Sequence, residues 1–195
     1  MNSDDWDTRY REAAQSRATV WSLEPNEWVV EVLADMTPGV AVDLAAGEGR
    51  NALWLASLGW QVTAVDFAGV GLAAGAARAE QSGVVVSWRQ ADATTWASAE
   101  PVDLVLIAYL QLPRAELARV IRNATSALAP GGTLALIAHD RANTVGGPQD
   151  PDVLTTVADL TDAATGLDIV DCRQRERVTS NGTALDTVLI ARATG

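Results

Sequence analysis

The stretch Val40-Ala-Val-Asp-Leu-Ala-Ala-Gly-Glu-Gly-Arg-Asn-Ala-Leu-Trp-Leu-Ala56 decides how this chain folds. Its first seven residues are an apolar run interrupted only by Asp43, as a strand buried on both faces requires. Glycines stand at 47 and 49. From Arg50 to Leu58 the apolar residues return at helical spacing, with Gly59 as a stop. A strand, a glycine turn and a helix in that order bring backbone N–H groups and a helix N-terminus close to whatever binds at the turn. Asp43 adds an acid at the strand end, and that acid discriminates between nucleotide-type ligands.

Downstream, the same alternation continues. Gln61–Phe67, Val84–Gln90, Asp103–Ala108 and Thr133–His139 read as strands. Between them lie an Ala-rich helix, Gly69–Gln81, and a helix over Pro113–Leu128 that opens on proline and closes before Pro130-Gly131-Gly132. Apolar strands alternating with helices predict a parallel sheet. After a loop over Ala142–Pro151 come a helix near Asp152–Ala164 and two strands, Leu167–Thr179 and Ala184–Ala193. Ser180-Asn181-Gly182 between them is a hairpin signal. The expected architecture is α/β: Rossmann-like, doubly wound, with a mostly parallel seven-stranded sheet, an antiparallel C-terminal hairpin and helices on both faces.

Upstream, residues 1–38 differ in character. They carry Trp6, Tyr10, Trp21 and Trp28 among charges, with breaks at Pro25 and Thr37-Pro38-Gly39. A helical lid segment over 1–38 and a ligand-binding domain over 39–195 are the expected division, with Asp4 or Asp5 capping the first helix. Trp6, Arg9, Tyr10 and Trp21 have two readings: a lid over the site, or packing of the first helices on the sheet.

The bulk properties narrow the function. In 195 residues, 48% hydrophobic, the formal net charge is −11. That balance argues against a nucleic-acid partner, which calls for a basic face. Arg173, Arg175 and Arg177 share one face of a strand, where a solvated face is the expected role. The lone Cys172 excludes an internal disulfide and any multi-cysteine metal site, so no metal is expected, and its place in a strand suggests a buried, inert thiol. No apolar run reaches the length of a membrane span and the acidic N-terminus has no signal-peptide core, so a cytoplasmic protein without a membrane partner is the expectation.

The chemistry-bearing residues gather at strand ends. Asp43 ends the first strand, Asp66 ends the second, and Asp92 follows the third. Ligands of parallel sheets bind at these carboxyl ends. Asp66, 23 positions beyond Asp43, suits the two hydroxyls of a ribose. Asp92 would accept from an exocyclic amine of a base. Gly47 and Gly49 permit close backbone approach, and Arg50 and Asn51 open the helix with N–H groups that lack intrahelical partners. Gly47-Glu-Gly-Arg-Asn-Ala52 also fits a dinucleotide fingerprint. A pyrophosphate, however, is poorly served by Asp43, whereas an ammonium group is well served. A nucleoside carrying an amino acid meets all three acids.

The segment Val42–Ala56, followed by Gly59-Trp-Gln-Val-Thr-Ala-Val-Asp-Phe67, resembles class I S-adenosylmethionine-dependent methyltransferases. The form Gly-x-Gly-Arg-Asn most resembles their small TehB-like and thiopurine methyltransferase-like branch. Asp103-Leu-Val-Leu and Leu128-Ala-Pro-Gly-Gly-Thr-Leu134 are similar to that family's fourth and fifth strand motifs. The resemblance implies that Asp43, Gly47 and Gly49, with Ala45 beside them, hold the methionine part. It assigns Asp66 to the ribose, Phe67 to the base face, Asp92 and Ala93 to the adenine edge, and Ala108 and Tyr109 to the methyl-transfer face. Ala45 stands where the family commonly has glycine, so the backbone there is expected to stay out of the glycine-only region.

Methyl transfer from a sulfonium is an in-line displacement that asks for alignment and exclusion of water. A soft acceptor such as a thiol or chalcogen compound needs no strong base. His139, the only histidine, ends the fifth strand with Asp140 beside it and reads either as a base or as a structural hydrogen bonder; Tyr109 is the other catalytic candidate. The expected function is transfer of a methyl group from S-adenosylmethionine to a small-molecule acceptor, by a monomer or homodimer. An NAD-type oxidoreductase on the same core, and a cofactor-binding sensor without transfer activity, are the alternatives.

Overall fold

The computed structural model describes residues 2–16, 19–20 and 22–194. Its seven strands lie in the order β3-β2-β1-β4-β5-β7-β6, the mixed and mostly parallel arrangement read from the sequence. The chain divides into two compact units, residues 1–93 and 94–195.

The first unit holds α1 (Ser3–Gln15), α2 (Glu27–Leu33), β1 (Val40–Leu44), α3 (Arg50–Ser57), β2 (Gln61–Asp66), α4 (Gly69–Ser82) and β3 (Val86–Gln90). β1 and β2 pair in parallel from Val40↔Gln61 to Leu44↔Val65, and β2 pairs with β3 in the same sense. Ala41, Val42, Leu44, Ala64 and Val65 are buried, so β1 and β2 are covered on both faces, while β3 at the edge is largely exposed.

Several boundaries shift for local reasons. Asn2, not Asp4 or Asp5, caps α1. Its side chain accepts from the Asp5 N–H, and the Asp5 carboxylate returns a bond to the Asn2 N–H. β1 stops at Leu44, two residues early, because Ala45 turns to φ 66°. This is the left-handed region, which favours glycine but is open to alanine. The turn demands that conformation, and alanine adopts it at a cost of about 1 kcal/mol.

α1 docks on α4. Ala68 begins α4 with no side chain to cap it, and the Asp7 carboxylate of α1 accepts from the Val70 N–H at 2.9 Å in its place. Tyr10 is buried, with its ring lying where a Cβ on Gly71 would be.

The second unit holds β4 (Val102–Ala108), α5 (Arg114–Ala127), β5 (Leu128–His139), α6 (Val157–Ala163), β6 (Leu167–Thr179) and β7 (Gly182–Ala193). β4 and β5 are parallel, while β7 runs antiparallel to both β5 and β6. The expected helix near 152–164 is a 3-10 turn over Pro151–Val153 followed by α6, because Thr156 caps the helix with Asp159 completing a capping box. The hairpin closes one residue earlier than Asn-Gly suggested: Thr179 pairs with Gly182, leaving Ser180-Asn181 as its loop.

Candidate functional site

In the first unit the glycine turn is built around two buried carboxylates. Asp66 is locked by the backbone. One oxygen accepts from the Gly47 N–H at 2.8 Å and the other from the Ala68 N–H at 2.8 Å. It therefore fixes the turn and the entrance to α4, while each oxygen keeps a second lone pair. Burial raises its pKa against the lowering effect of those N–H groups.

Asp43 is more exposed chemically although more deeply buried. Desolvation pushes its pKa up to about 7, against lowering contributions from the Ala52 N–H and from Arg50. Its Oδ2 is buried with no hydrogen-bond partner. A buried orphan acceptor is costly and rare, and it marks a place where a donor or cation is missing. The residues here thus fit a ligand that carries an ammonium group.

Around these acids the turn is tightly filled. Gly49 caps α3 at φ 74°, and a Cβ there would run into the indole of Trp88 on β3. A Cβ on Gly75 of α4 would meet the same ring, which explains a glycine inside an Ala-rich helix. Glu48 binds Arg78 at 3.3 Å and accepts from the Val20 N–H.

Asn51 is occupied within the fold. Its Oδ1 accepts from the N–H of Asn26, whose own side chain caps α2. Arg50 donates to the Ser22 hydroxyl at 2.7 Å. Phe67 is half-buried, and its carbonyl is held by Gln90 at 2.9 Å; Asp92 is exposed just past β3, with Ala93 half-buried after it. Trp6 stacks on Tyr10 at 5.8 Å with Arg9 over its ring, while Trp21 lies outside the described residues.

In the second unit a polar cluster forms at the carboxyl ends of β4 and β5. Ala108 ends β4, and Tyr109 follows at φ 59° with its N–H bonded to the Ile137 carbonyl. A positive φ on an aromatic residue is strained, and such strain is retained where the surroundings impose it. Tyr109 lies 4.6 Å from the His139 ring and donates its hydroxyl to Asp186 at 3.0 Å.

Asp186, on β7, stands directly opposite His139 in the β5–β7 pairing. It contacts His139 Nδ1 at 3.2 Å and receives Arg177 Nε at 2.7 Å, and the guanidinium also covers the Tyr109 ring. Burial alone would raise the Asp186 carboxyl, but His139, Arg177 and Tyr109 hold it below the usual carboxylate range.

Three readings are corrected here. The acid that serves His139 is Asp186, 47 residues away, not the adjacent Asp140. Asp140 instead accepts from Thr187, Gln174 and the Ala142 N–H. Nor is the arginine stripe uniformly solvated: Arg173 pairs with its neighbour Asp171, but Arg177 is drawn into the cluster. Cys172 is half-buried, not sealed in the core. Asp186 and Arg177 carried no sequence signal as a pair, because only the hairpin register joins them.

Among the described residues no group of acids, histidine and cysteine could hold a metal, and no helix is long and apolar enough to cross a membrane. Residues 41–132 match the family described as a methyltransferase domain. No curated protein matches the sequence.

The fold itself is shared with solved structures. TehB from Haemophilus influenzae is 20% identical with a TM-score of 0.75, covering 87% of this chain. This chain in turn spans 63% of the length of TehB. A protein described with the conversion of a disulfide bond into a thioacetal group during echinomycin biosynthesis is 19% identical, with a TM-score of 0.80 over 98% of this chain and 92% of its own. The N-methyltransferase NodS from Bradyrhizobium japonicum, in complex with S-adenosyl-l-homocysteine, is 19% identical with a TM-score of 0.71 over 95% of this chain and 98% of its own.

Proposed function

We propose that this protein is an S-adenosylmethionine-dependent methyltransferase acting on a small molecule, with thiol and chalcogen compounds the leading acceptor class. The observation that carries the reading is Asp43: a buried carboxylate at the glycine turn with one oxygen lacking a partner. It favours the ammonium of an amino-acid-bearing nucleoside over a pyrophosphate. The match of residues 41–132 to a methyltransferase domain supports it, since that span includes the turn and all three strand-end acids.

In this reading Asp43, Ala45, Gly47, Gly49, Arg50 and Asn51 surround the methionine part, Asn51 and Arg50 through backbone and charge. Asp66 holds the ribose with its remaining lone pairs. Phe67, Asp92 and Ala93 take the adenine, and Ala108 and Tyr109 take the methyl-transfer side. The donor supplies an activated methyl group; the protein's part is to orient it and keep water out. Trp6 and Tyr10 then belong to an N-terminal segment that covers the bound ligands.

Isothermal titration with S-adenosylhomocysteine and with NADH tests the cofactor. Preferential binding of NADH would overturn the reading. Asp66→Ala is expected to weaken S-adenosylhomocysteine by about 1.5–3 kcal/mol through loss of charged hydrogen bonds; unchanged affinity in a folded variant would refute the ribose assignment.

A further inference from the structure

We propose that the outer edge of β6 is a self-association surface, on which a second copy of this chain pairs antiparallel, β6 against β6, about a twofold axis at Cys172. This pairing lies within the second unit and does not depend on the methyltransferase reading.

β6 closes the sheet. Its inner edge pairs with β7 from Leu167↔Ala193 to Thr179↔Gly182, and no strand among the described residues pairs with its outer edge. The hairpin register decides which backbone groups face outward. Thr179 and Gly182 flank a two-residue loop and exchange both hydrogen bonds, and such pairs recur at every second residue of an antiparallel ladder. The N–H and C=O groups of Arg177, Arg175, Arg173 and Asp171 therefore turn to β7. Those of Val178, Glu176, Gln174 and Cys172 turn away from it. A long outward row of this kind is a template for a further strand. The side chains leave it open: Ile169, Val170 and Val178 are 41%, 58% and 87% exposed.

The charges decide which strand fits. β6 carries three acids, Asp168, Asp171 and Glu176, against three arginines, Arg173, Arg175 and Arg177. It is thus a neutral strand in a chain of net charge −11, whose remaining surface repels a second copy. The signs are also ordered, with Asp168 and Asp171 on the N-terminal side of Cys172 and the arginines on the other. Antiparallel pairing of two copies sets one block against the other.

The bulge between Ile169 and Asp171 fixes the register. Asp168 pairs with Arg192 and Asp171 with Ile190, so Val170 is the extra residue and Asp168 shares a face with Asp171, Arg173 and Arg175. Asp171 and Arg173 already meet on that face at 3.0 Å within one chain. With Cys172 opposite its own copy, Asp171 stands opposite the partner's Arg173 and Asp168 opposite the partner's Arg175, each pair occurring twice by symmetry. Moving the axis by one residue sets Arg173 opposite Arg173 or Asp171 opposite Asp171, and like charges opposed in a ladder destabilise it. Bulges and charges on an edge strand guard against indiscriminate pairing. Their order here admits one register with one partner.

Sedimentation velocity of the full chain over a concentration series should show the monomer mass giving way to twice that value. Asp171→Arg alone sets arginine against arginine at two places and should raise the dimer dissociation constant about tenfold, and Arg173→Asp alone should do the same with aspartates. The double exchange, Asp171→Arg with Arg173→Asp, rebuilds both pairs and should return the constant to within about threefold of the wild type's. In the native protein, amide hydrogen exchange read by NMR should slow at Cys172 and Gln174 as concentration rises. A chain that stays monomeric up to millimolar concentration overturns the proposal. So does a dimer that withstands both single reversals, or one in which the Cys172 and Gln174 amides exchange at the monomer's rate, since its interface then lies elsewhere.

Discussion

The glycine turn of the first unit and the His139–Asp186 cluster of the second solve opposite electrostatic problems. At the turn, Asp43 is buried with an oxygen left unpartnered and its proton affinity pushed up to about 7. In the cluster, Asp186 is as deeply buried but surrounded by Arg177, Tyr109 and His139, and its proton affinity is pushed down. Burial is common to both, so the number of donors decides the direction. An acid short of donors is poised to receive a cation; an acid saturated with donors is poised to orient the groups that saturate it. Each constellation also contains a non-glycine residue at positive φ directly after a parallel strand, Ala45 in one and Tyr109 in the other.

The sharpest way to break this contrast is to remove the saturated acid. Asp186→Asn leaves a partly buried guanidinium without its counter-ion. It should cost about 3 kcal/mol in a denaturant titration, discounted for the exposure that Arg177 retains. A loss near zero would mean that the cluster is not a stabilising network.

The second prediction concerns Asp43. Its folded pKa lies above its unfolded value, so the folded state binds more protons between about pH 4 and 7, and stability falls as pH rises through that window. Between pH 5 and 6.5 the wild type should lose about 2 kcal/mol relative to Asp43→Asn, which cannot titrate. Parallel slopes for the two proteins would show that Asp43 is ionised throughout. Binding of an ammonium-bearing ligand below pH 7 should release a proton, measurable by titration in buffers of different ionisation enthalpy.

The smallest effect sharpens the comparison of the two strained residues. Ala45→Gly relieves φ 66° but frees the unfolded chain, so a net gain of about 0.5 kcal/mol is expected by thermal unfolding. Tyr109 offers no such gain, because its hydroxyl and ring are committed to Asp186 and His139.

Contiguity explains what was legible. The turn could be read from Asp43 through Asn51 because strand, glycines and helix follow one another within the reach of local preference. The strand-end acids could be placed because the two-residue and 3.6-residue periods mark where each strand ends. The cluster could not be assembled that way. His139 and Asp186 meet only through the register of β5 and β7, and Arg177 reaches Asp186 only across the hairpin. The adjacent Asp140 was the nearer acid in sequence and the wrong one, since it lies past the end of β5 and its carboxylate is taken by Thr187, Gln174 and the Ala142 N–H.

Sequence alone determined the alternation of strands and helices, the antiparallel hairpin and the acidic glycine turn, because each is written in short-range periodicity and backbone preference. The tertiary structure decided which acids are satisfied and which are not. It bonded both Asp66 oxygens to backbone, used the Asn51 side chain to hold Asn26, and left Asp43 Oδ2 without a partner. Hydrogen-bond saturation depends on groups brought together from distant parts of the chain, and only folding sets those distances.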